Sequence, residues 1–116
     1  MSQERILEAL ITFGLKKPDA KVYIQLAARG TLKAKDLAEA QGLHKQQLYR
    51  SLKRLQAIGI VKATSKRPAF YSALPLATAL DLIAQEKKDE ALDIEQSKKQ
   101  ILSYLRTDKM NNSFQK

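Results

Sequence analysis

The stretch AKDLAEAQGLHKQQLYRSLKRLQAIGIV, residues 34–61, decides the fold. It contains a short helical pattern over residues 34–41, and a longer one begins near His44. Gly42 separates the two patterns, at a position where a helix that ends in the left-handed conformation favours a residue without Cβ. The apolar stripe of the longer helix consists of Leu48, Leu52, Leu55 and Ile58. Two short helices joined by a turn that contains glycine are typical of a helix-turn-helix.

A pair of β-favouring segments directly follows the two helices. Residues 60–65 and 70–73 are β-favouring, and residues 66–68 between them predict a turn. The two segments therefore predict a hairpin with a basic tip, and residues 31–32 are expected to add a third strand. We expect a mainly α fold with a small β-hairpin wing, which is a winged helix-turn-helix of the α+β class.

The remaining segments frame this motif. Pro18 opens a helix before it, and Pro75 precedes a last helix that begins at the next residue. We expect a winged helix-turn-helix domain over residues 1–75, a long C-terminal dimerisation helix over residues 76–106 and a flexible tail over residues 107–116.

The last helix carries an apolar repeat that is too long to hide on one small domain. A helix of about 30 residues is about 45 Å long. Lys87 and Lys98 interrupt its approximate seven-residue repeat, so the coiled coil is not ideal. We expect a homodimer in which a second chain covers the stripe; the alternative is a helix folded back on its own domain. The expected interface residues are Leu80, Ile83, Ala84, Ala91, Ile94, Ile101 and Leu105.

The positive charge of the chain is concentrated around the helix-turn-helix. The chain has 21 Lys and Arg residues, 12 Asp and Glu residues and a formal net charge of +9. Residues 1–75 hold 14 of the basic and five of the acidic residues, whereas residues 76–116 hold seven of each. No acidic residue occurs between Glu39 and Asp81. A surface of one sign attracts a polyanion, although a basic run can also be a merely solvated face.

The composition excludes most catalytic chemistry. The chain has no cysteine and one histidine. The side chains needed for thiolate metal sites, cysteine nucleophiles and histidine-based triads are therefore missing. We therefore expect neither an enzyme nor a metal or cofactor site. Glu4 and Glu8 interrupt the apolar stretch near the start, and no run reaches the roughly 18 apolar residues of a membrane span. We expect a cytoplasmic protein with no membrane partner.

The longer helix of the motif has an exposed face of amides and cations. Placing its leucines inward, at about 100° per residue, leaves no carboxylate on the opposite face. Arg and Gln can bind guanine and adenine through paired hydrogen bonds, whereas Lys neutralises phosphate. The expected contacts with base edges are Lys45, Gln46, Gln47 and Arg50, in the N-terminal half that enters the major groove. The expected phosphate contacts farther along are Lys53 and Arg54. Solubility alone would favour a similar face.

Further cations and hydroxyls are expected to hold the DNA backbone. Lys66 and Arg67 at the hairpin tip would lie against the backbone or in the adjacent minor groove; the alternative is an exposed polar turn. The other expected phosphate contacts are Thr31, Lys33, Lys35 and Tyr49. The first three stand at the start of the helix over residues 34–41, whose free backbone N–H groups favour phosphate. Tyr49 can equally pack at the edge of the domain.

Three stretches of the chain carry a family resemblance. They are LITFGLKKPDAKVYIQLAARG, residues 10–30, the motif of residues 34–61, and RPAFYSALPLATAL, residues 67–80. In order and spacing they resemble the N-terminal DNA-binding domain of the TrmB family of archaeal-type transcriptional regulators, over about residues 7–83. The resemblance implies a winged helix, a dimer and double-stranded DNA as partner. It places Lys45, Gln46, Gln47 and Arg50 in recognition-helix positions. Winged helices of the MarR and ArsR type look similar.

The resemblance does not extend to sugar sensing. Many TrmB-like regulators continue into a large sugar-binding effector domain, whereas this chain stops after its long helix. We expect a stand-alone, homodimeric regulator that binds specific DNA sequences, and the sequence indicates no small-molecule effector. The alternatives are a non-specific architectural DNA binder of the nucleoid type and a winged helix that binds only proteins.

Overall fold

Five helices and three short strands make up the part of the chain that the structure describes, residues 2–106 of a computed structural model. The helices are α1 (Gln3–Thr12), α2 (Lys17–Arg29), α3 (Ala34–Gln41), α4 (Lys45–Ile58) and α5 (Leu76–Leu105). The strands are β1 (Leu32–Lys33), β2 (Val61–Ala63) and β3 (Phe70–Ala73). The expected mainly α fold with a small β-hairpin wing is confirmed. The tail predicted to be flexible, residues 107–116, lies outside the described residues.

Local sequence sets the ends of the helices. Ser2 caps α1, because its side-chain oxygen accepts a hydrogen bond from the backbone N–H of Arg5. Pro18 lies in the first turn of α2, where its missing N–H would have no helical partner. Gly42 ends α3 with a φ of +62°, a left-handed conformation that suits a residue without Cβ. Three residues therefore separate α3 from α4, which begins at Lys45.

One hydrophobic core connects the first four helices, the hairpin and the beginning of α5. Its largest fully buried side chains include Leu10, Tyr23, Leu26, Leu37, Leu48, Leu52, Leu55, Ile60 and Ile83. Burial of each leucine contributes about 1.5–3 kcal/mol, so the three leucines of α4 hold that helix firmly against the core. The Tyr23 hydroxyl donates a hydrogen bond to the backbone carbonyl of Leu74. Within residues 2–106, no buried polar side-chain atom lacks a hydrogen-bond partner.

The three strands form one antiparallel sheet in which β3 lies between β1 and β2. Leu32 of β1 pairs with Tyr71 of β3, so the expected third strand is present, one residue later than predicted. The strand β2 ends at Ala63, earlier than the predicted residue 65. At the next pair the backbone N–H of Thr64 still donates to the Phe70 carbonyl, but the backbone N–H of Phe70 donates to the side-chain oxygen of Thr64. The regular pairing of the two backbones therefore stops at Thr64.

The last helix is shared between two compact units. The first unit includes the described chain as far as Gln85, and the second unit begins at Glu86. Ala79 and Ile83 of α5 are buried in the core of the first unit. We expected Ile83 at a dimer interface, but it is 1% exposed, and its own chain already covers it. In the second unit, every side chain of residues 87–104 is exposed.

Candidate nucleic-acid interface

The exposed face of α4 presents the side chains that the sequence predicted at base edges. Because the leucines of α4 point into the core, the polar side chains on the opposite face lie in solvent. The exposed polar side chains of this face are Lys45, Gln46, Gln47, Arg50 and Lys53. His44 occupies the N-cap position of α4, and its side chain makes no capping hydrogen bond. This face, which we call the α4 face, is available to an external partner.

Arg54 does not belong to the α4 face. Its Nε and Nη2 donate to the two carboxylate oxygens of Asp19, each over 2.8 Å, and Nη2 also donates to Ser51 Oγ over 3.4 Å. The hydrogen bond with Asp19 raises the pKa of Arg54 above its usual value. We expected a phosphate contact at Arg54. In the structure two nitrogens of this guanidinium are engaged with a buried carboxylate of the same chain, while the Arg54 side chain is 40% exposed.

A groove opens between the start of α3, the helix α4 and the hairpin. Its volume is about 760 Å³. Five of its lining residues are cations: Lys33, Lys35, Lys45, Lys66 and Arg67. Its other lining residues are Ala34, Tyr49, Ala63, Thr64, Ser65, Pro68, Ala69 and Tyr71. The described lining contains no carboxylate, so this groove, which we call the wing groove, suits an elongated anion.

The two tyrosines of the wing groove supply hydroxyl donors. Burial raises the pKa of Tyr71, and the electrostatic effect of the nearby Tyr49 adds to the rise. Tyr71 is therefore protonated at neutral pH and can donate a hydrogen bond. The sequence left open whether Tyr49 packs at the edge of the domain. Tyr49 is 49% exposed, so a large part of the residue faces solvent.

Two of the expected phosphate contacts, Lys33 and Thr31, have different surroundings. The Nζ atom of Lys33 lies 5.6 Å from the centre of the Phe70 ring, whose π face attracts the cation. Thr31 is exposed but does not line the wing groove. The expected site residues that the wing groove brings together are Lys33, Lys35, Lys45, Tyr49, Lys66 and Arg67. Those exposed on α4 outside its lining are Gln46, Gln47, Arg50 and Lys53.

The hairpin supplies a wall of the wing groove that the sequence did not predict. Thr64 and Ser65 line it with hydroxyls, and Tyr71 lines it from the middle strand. In strands of three or four residues, the alternation of apolar and polar side chains is too short to show which face packs against a helix. The adjacent hydroxyls of Thr64 and Ser65, just before the basic turn, are the sequence feature that could have indicated this wall.

Residues 2–106 include no group of His, Cys, Asp and Glu side chains that could hold a metal ion. No helix among these residues is long and apolar enough to cross a membrane.

The fold defines the class of the protein. The helices α2, α3 and α4 pack against a three-stranded sheet whose hairpin follows α4 directly, which is the arrangement of a winged helix-turn-helix. A family model described as "sugar-specific transcriptional regulator TrmB" matches residues 10–77, more than half of the chain. The chain therefore belongs to the TrmB family of transcriptional regulators, as the sequence resemblance predicted.

One relative in sequence and two solved structures of similar fold illustrate this comparison. The chain is 31% identical over 99 residues to the HTH-type sugar sensing transcriptional regulator TrmBL1 of Pyrococcus furiosus. The aligned region covers 85% of this chain and 28% of TrmBL1. The structure of TrmBL2, an archaeal chromatin protein, matches with a TM-score of 0.70 and 24% identity over 90% of this chain and 41% of that chain. A possible transcriptional regulator from Methanosarcina mazei matches with a TM-score of 0.59 and 17% identity, covering 81% and 87% of the two chains. This chain thus spans less than half the length of TrmBL1 and of the TrmBL2 chain.

Proposed function

We propose that this protein is a homodimeric transcriptional regulator that binds specific sequences in double-stranded DNA. The observation that carries the proposal is the juxtaposition of the α4 face with the wing groove. Together they present amides, hydroxyls and cations, and no carboxylate occurs between Glu39 and Asp81. Duplex DNA offers the matching chemistry, because base edges accept and donate hydrogen bonds between two rows of phosphates.

In this proposal α4 is the recognition helix and lies in the major groove. Its N-terminal half carries the side chains that distinguish bases. Arg50 can donate two parallel hydrogen bonds to guanine, and Gln46 or Gln47 can pair with adenine through the amide. All three side chains are exposed and need no rearrangement to leave the domain surface.

The wing groove holds the sugar-phosphate backbone beside the major groove. Its five cations would each neutralise a phosphate, and each neutralised phosphate contributes about 0.9 to the slope of log affinity against log salt. These five contacts therefore contribute about −4 to −5 to the slope for one chain. The hydroxyls of Tyr49 and Tyr71 add neutral donors that fix the position of the strand without specifying its sequence.

The homodimer forms through the exposed part of α5. Ile94 and Ile101 are 67% and 61% exposed, seven residues apart on one stripe of the helix. Ala91 lies on the same stripe and is exposed, and Leu105 is half-buried. A second copy of this stripe would cover these side chains, and two recognition helices would then read a site with twofold symmetry.

The experiment that tests the proposal is selection of bound duplexes from a random-sequence pool at about 150 mM salt, near physiological screening. Enrichment of an inverted repeat whose half-sites lie about one helical turn apart would support both the recognition helix and the dimer. Recovery of DNA without any enriched motif would contradict sequence-specific binding. Failure to retain DNA would contradict the proposal as a whole and direct the search to an acidic protein partner.

A second candidate is an architectural protein that binds DNA of any sequence. The observation that favours it is the cationic lining of the wing groove, which suits phosphates whatever the base sequence. TrmBL2, described as an archaeal chromatin protein, has a similar fold. Equal affinity for random duplexes and for any selected sequence, with a steep salt dependence, would favour this candidate.

A further inference from the structure

An ion pair links α2 to α4 beneath the α4 face. The carboxylate of Asp19 is buried, with 3% of the residue exposed, whereas the side chain of Arg54 is 40% exposed. Both carboxylate oxygens accept from the guanidinium over 2.8 Å, in the two-pronged geometry that fixes distance and orientation together. Ser51, 1% exposed, accepts a third hydrogen bond from the same guanidinium.

The other contacts that hold α4 on the core are apolar. Leu48, Leu52 and Leu55 are buried, and their hydrophobic stabilisation is not directional. Close packing of these leucines holds α4 against the core but supplies no directional bond. The bond between Arg54 and Asp19 adds a directional restraint, because a fork of two parallel hydrogen bonds tolerates little change in angle.

We propose that Asp19 and Arg54 are positioning residues that set the orientation of the recognition helix, and that Arg54 does not itself contact DNA. This inference depends on the proposed sequence-specific binding of DNA. Arg54 lies four residues after Arg50, so the two side chains are neighbours on one helix surface. Fixing the rotation of α4 at Arg54 therefore fixes the direction in which Arg50 leaves the helix. Recognition of bases requires side chains that lie within about 0.5 Å and 10–20° of the geometry that forms the hydrogen bonds.

The variants Asp19→Asn and Arg54→Gln test the inference, because each keeps a side chain that can hydrogen-bond but removes the paired geometry. Each variant is expected to lower the ratio of affinities for a selected and a scrambled duplex by about tenfold, the size of one mismatched base pair. The affinity for the scrambled duplex should change by less than about twofold, and its salt slope should not change. A merely structural role of the pair would leave the affinity ratio of the folded protein unchanged.

The opposite assignment makes different predictions. If Arg54 contacts phosphate, Arg54→Gln weakens binding to both duplexes and lowers the magnitude of the salt slope by about 0.9. Asp19→Asn, which releases the guanidinium, then strengthens binding to both. Either result would overturn the inference. Lys53→Gln is the matched control, because this neighbouring cation is exposed and is expected to lower the slope.

Two measurements keep the test independent of folding and of the proposed function. Thermal unfolding shows whether each variant is folded. If neither is folded, Arg54→Lys replaces them, since lysine keeps the charge but cannot donate two parallel hydrogen bonds to one carboxylate. Amide chemical shifts of free protein should change along residues 45–50 and stay constant in residues 87–104; unchanged shifts in α4 would contradict positioning.

A wild-type chain without sequence preference overturns the proposed function and the inference together. A wild-type preference that the variants retain overturns the inference alone.

Discussion

Replacement of Ile94 by alanine should weaken the proposed dimer by an amount that follows from its exposure. Ile94 is 67% exposed in a single chain. Complete burial of an isoleucine contributes about 1.5–3 kcal/mol, so covering the exposed two thirds contributes about 1–2 kcal/mol. The substitution occurs twice in a homodimer, which gives about 2–4 kcal/mol per dimer. The dissociation constant should therefore rise roughly 30- to 1000-fold.

Sedimentation equilibrium over a range of protein concentrations measures this change directly. Alanine favours helix, so α5 should persist in the monomer and the effect should come from the lost contact. Gln96→Ala is the control, because Gln96 is exposed on the opposite side of the helix and its loss should leave the dissociation constant unchanged. An equal effect of the two substitutions would show that this stripe is not the interface. A wild-type chain that remains monomeric at every concentration would refute the dimer itself.

The remaining predictions concern binding and stability. Arg50→Ala should weaken binding to the selected duplex by about 1–3 kcal/mol and relax base preference, whereas Lys66→Ala should weaken binding to all duplexes alike. Titrations with selected and random DNA compare the two variants, and identical profiles would contradict sequence-specific binding. Tyr23→Phe should lower the free energy of unfolding in urea by about 1 kcal/mol, because the Leu74 carbonyl loses its donor; an unchanged midpoint would refute this. Burial raises the pKa of Tyr23 above its usual value of 10.0, so the hydroxyl loses its proton at a lower pH in the unfolded chain than in the folded chain. The free energy of unfolding should therefore fall as the pH rises above that value. The fall should be smaller in Tyr23→Phe, and pH titration of the urea midpoint of both proteins checks it. Gly42→Ala should cost about 1–2 kcal/mol in the same urea assay, because open space surrounds the added Cβ and the strain comes only from the positive φ; a neutral result would contradict that reasoning.

The helix-turn-helix and the wing were predictable because they depend on local patterns. The bounds of α3, residues 34–41, follow from a periodic segment that a glycine ends. The inward leucines of α4 follow from helical periodicity, which also identifies the opposite face as polar. Both patterns are complete within a few turns of chain, so no knowledge of the tertiary packing is needed.

The contacts of Arg54 and Ile83 could not be predicted in the same way. Helical periodicity placed Arg54 beside the exposed face, but only the crossing of α2 and α4 shows that a carboxylate 35 residues away lies within reach. Ile83 continues the apolar stripe of α5, and periodicity alone cannot show where one helix changes from packing on its own core to exposed surface. Both differences arise from contacts between distant parts of the sequence.

The hydrogen bond from Tyr23 to Leu74 ties α2 to the residue that precedes Pro75 and the last helix. The same helix also contacts α4 through Asp19. A substitution that displaces α2 would therefore disturb two attachments at once, whereas exchanges on the exposed side of α4 leave both in place. If the proposed function holds, changes of DNA preference are expected on that exposed side.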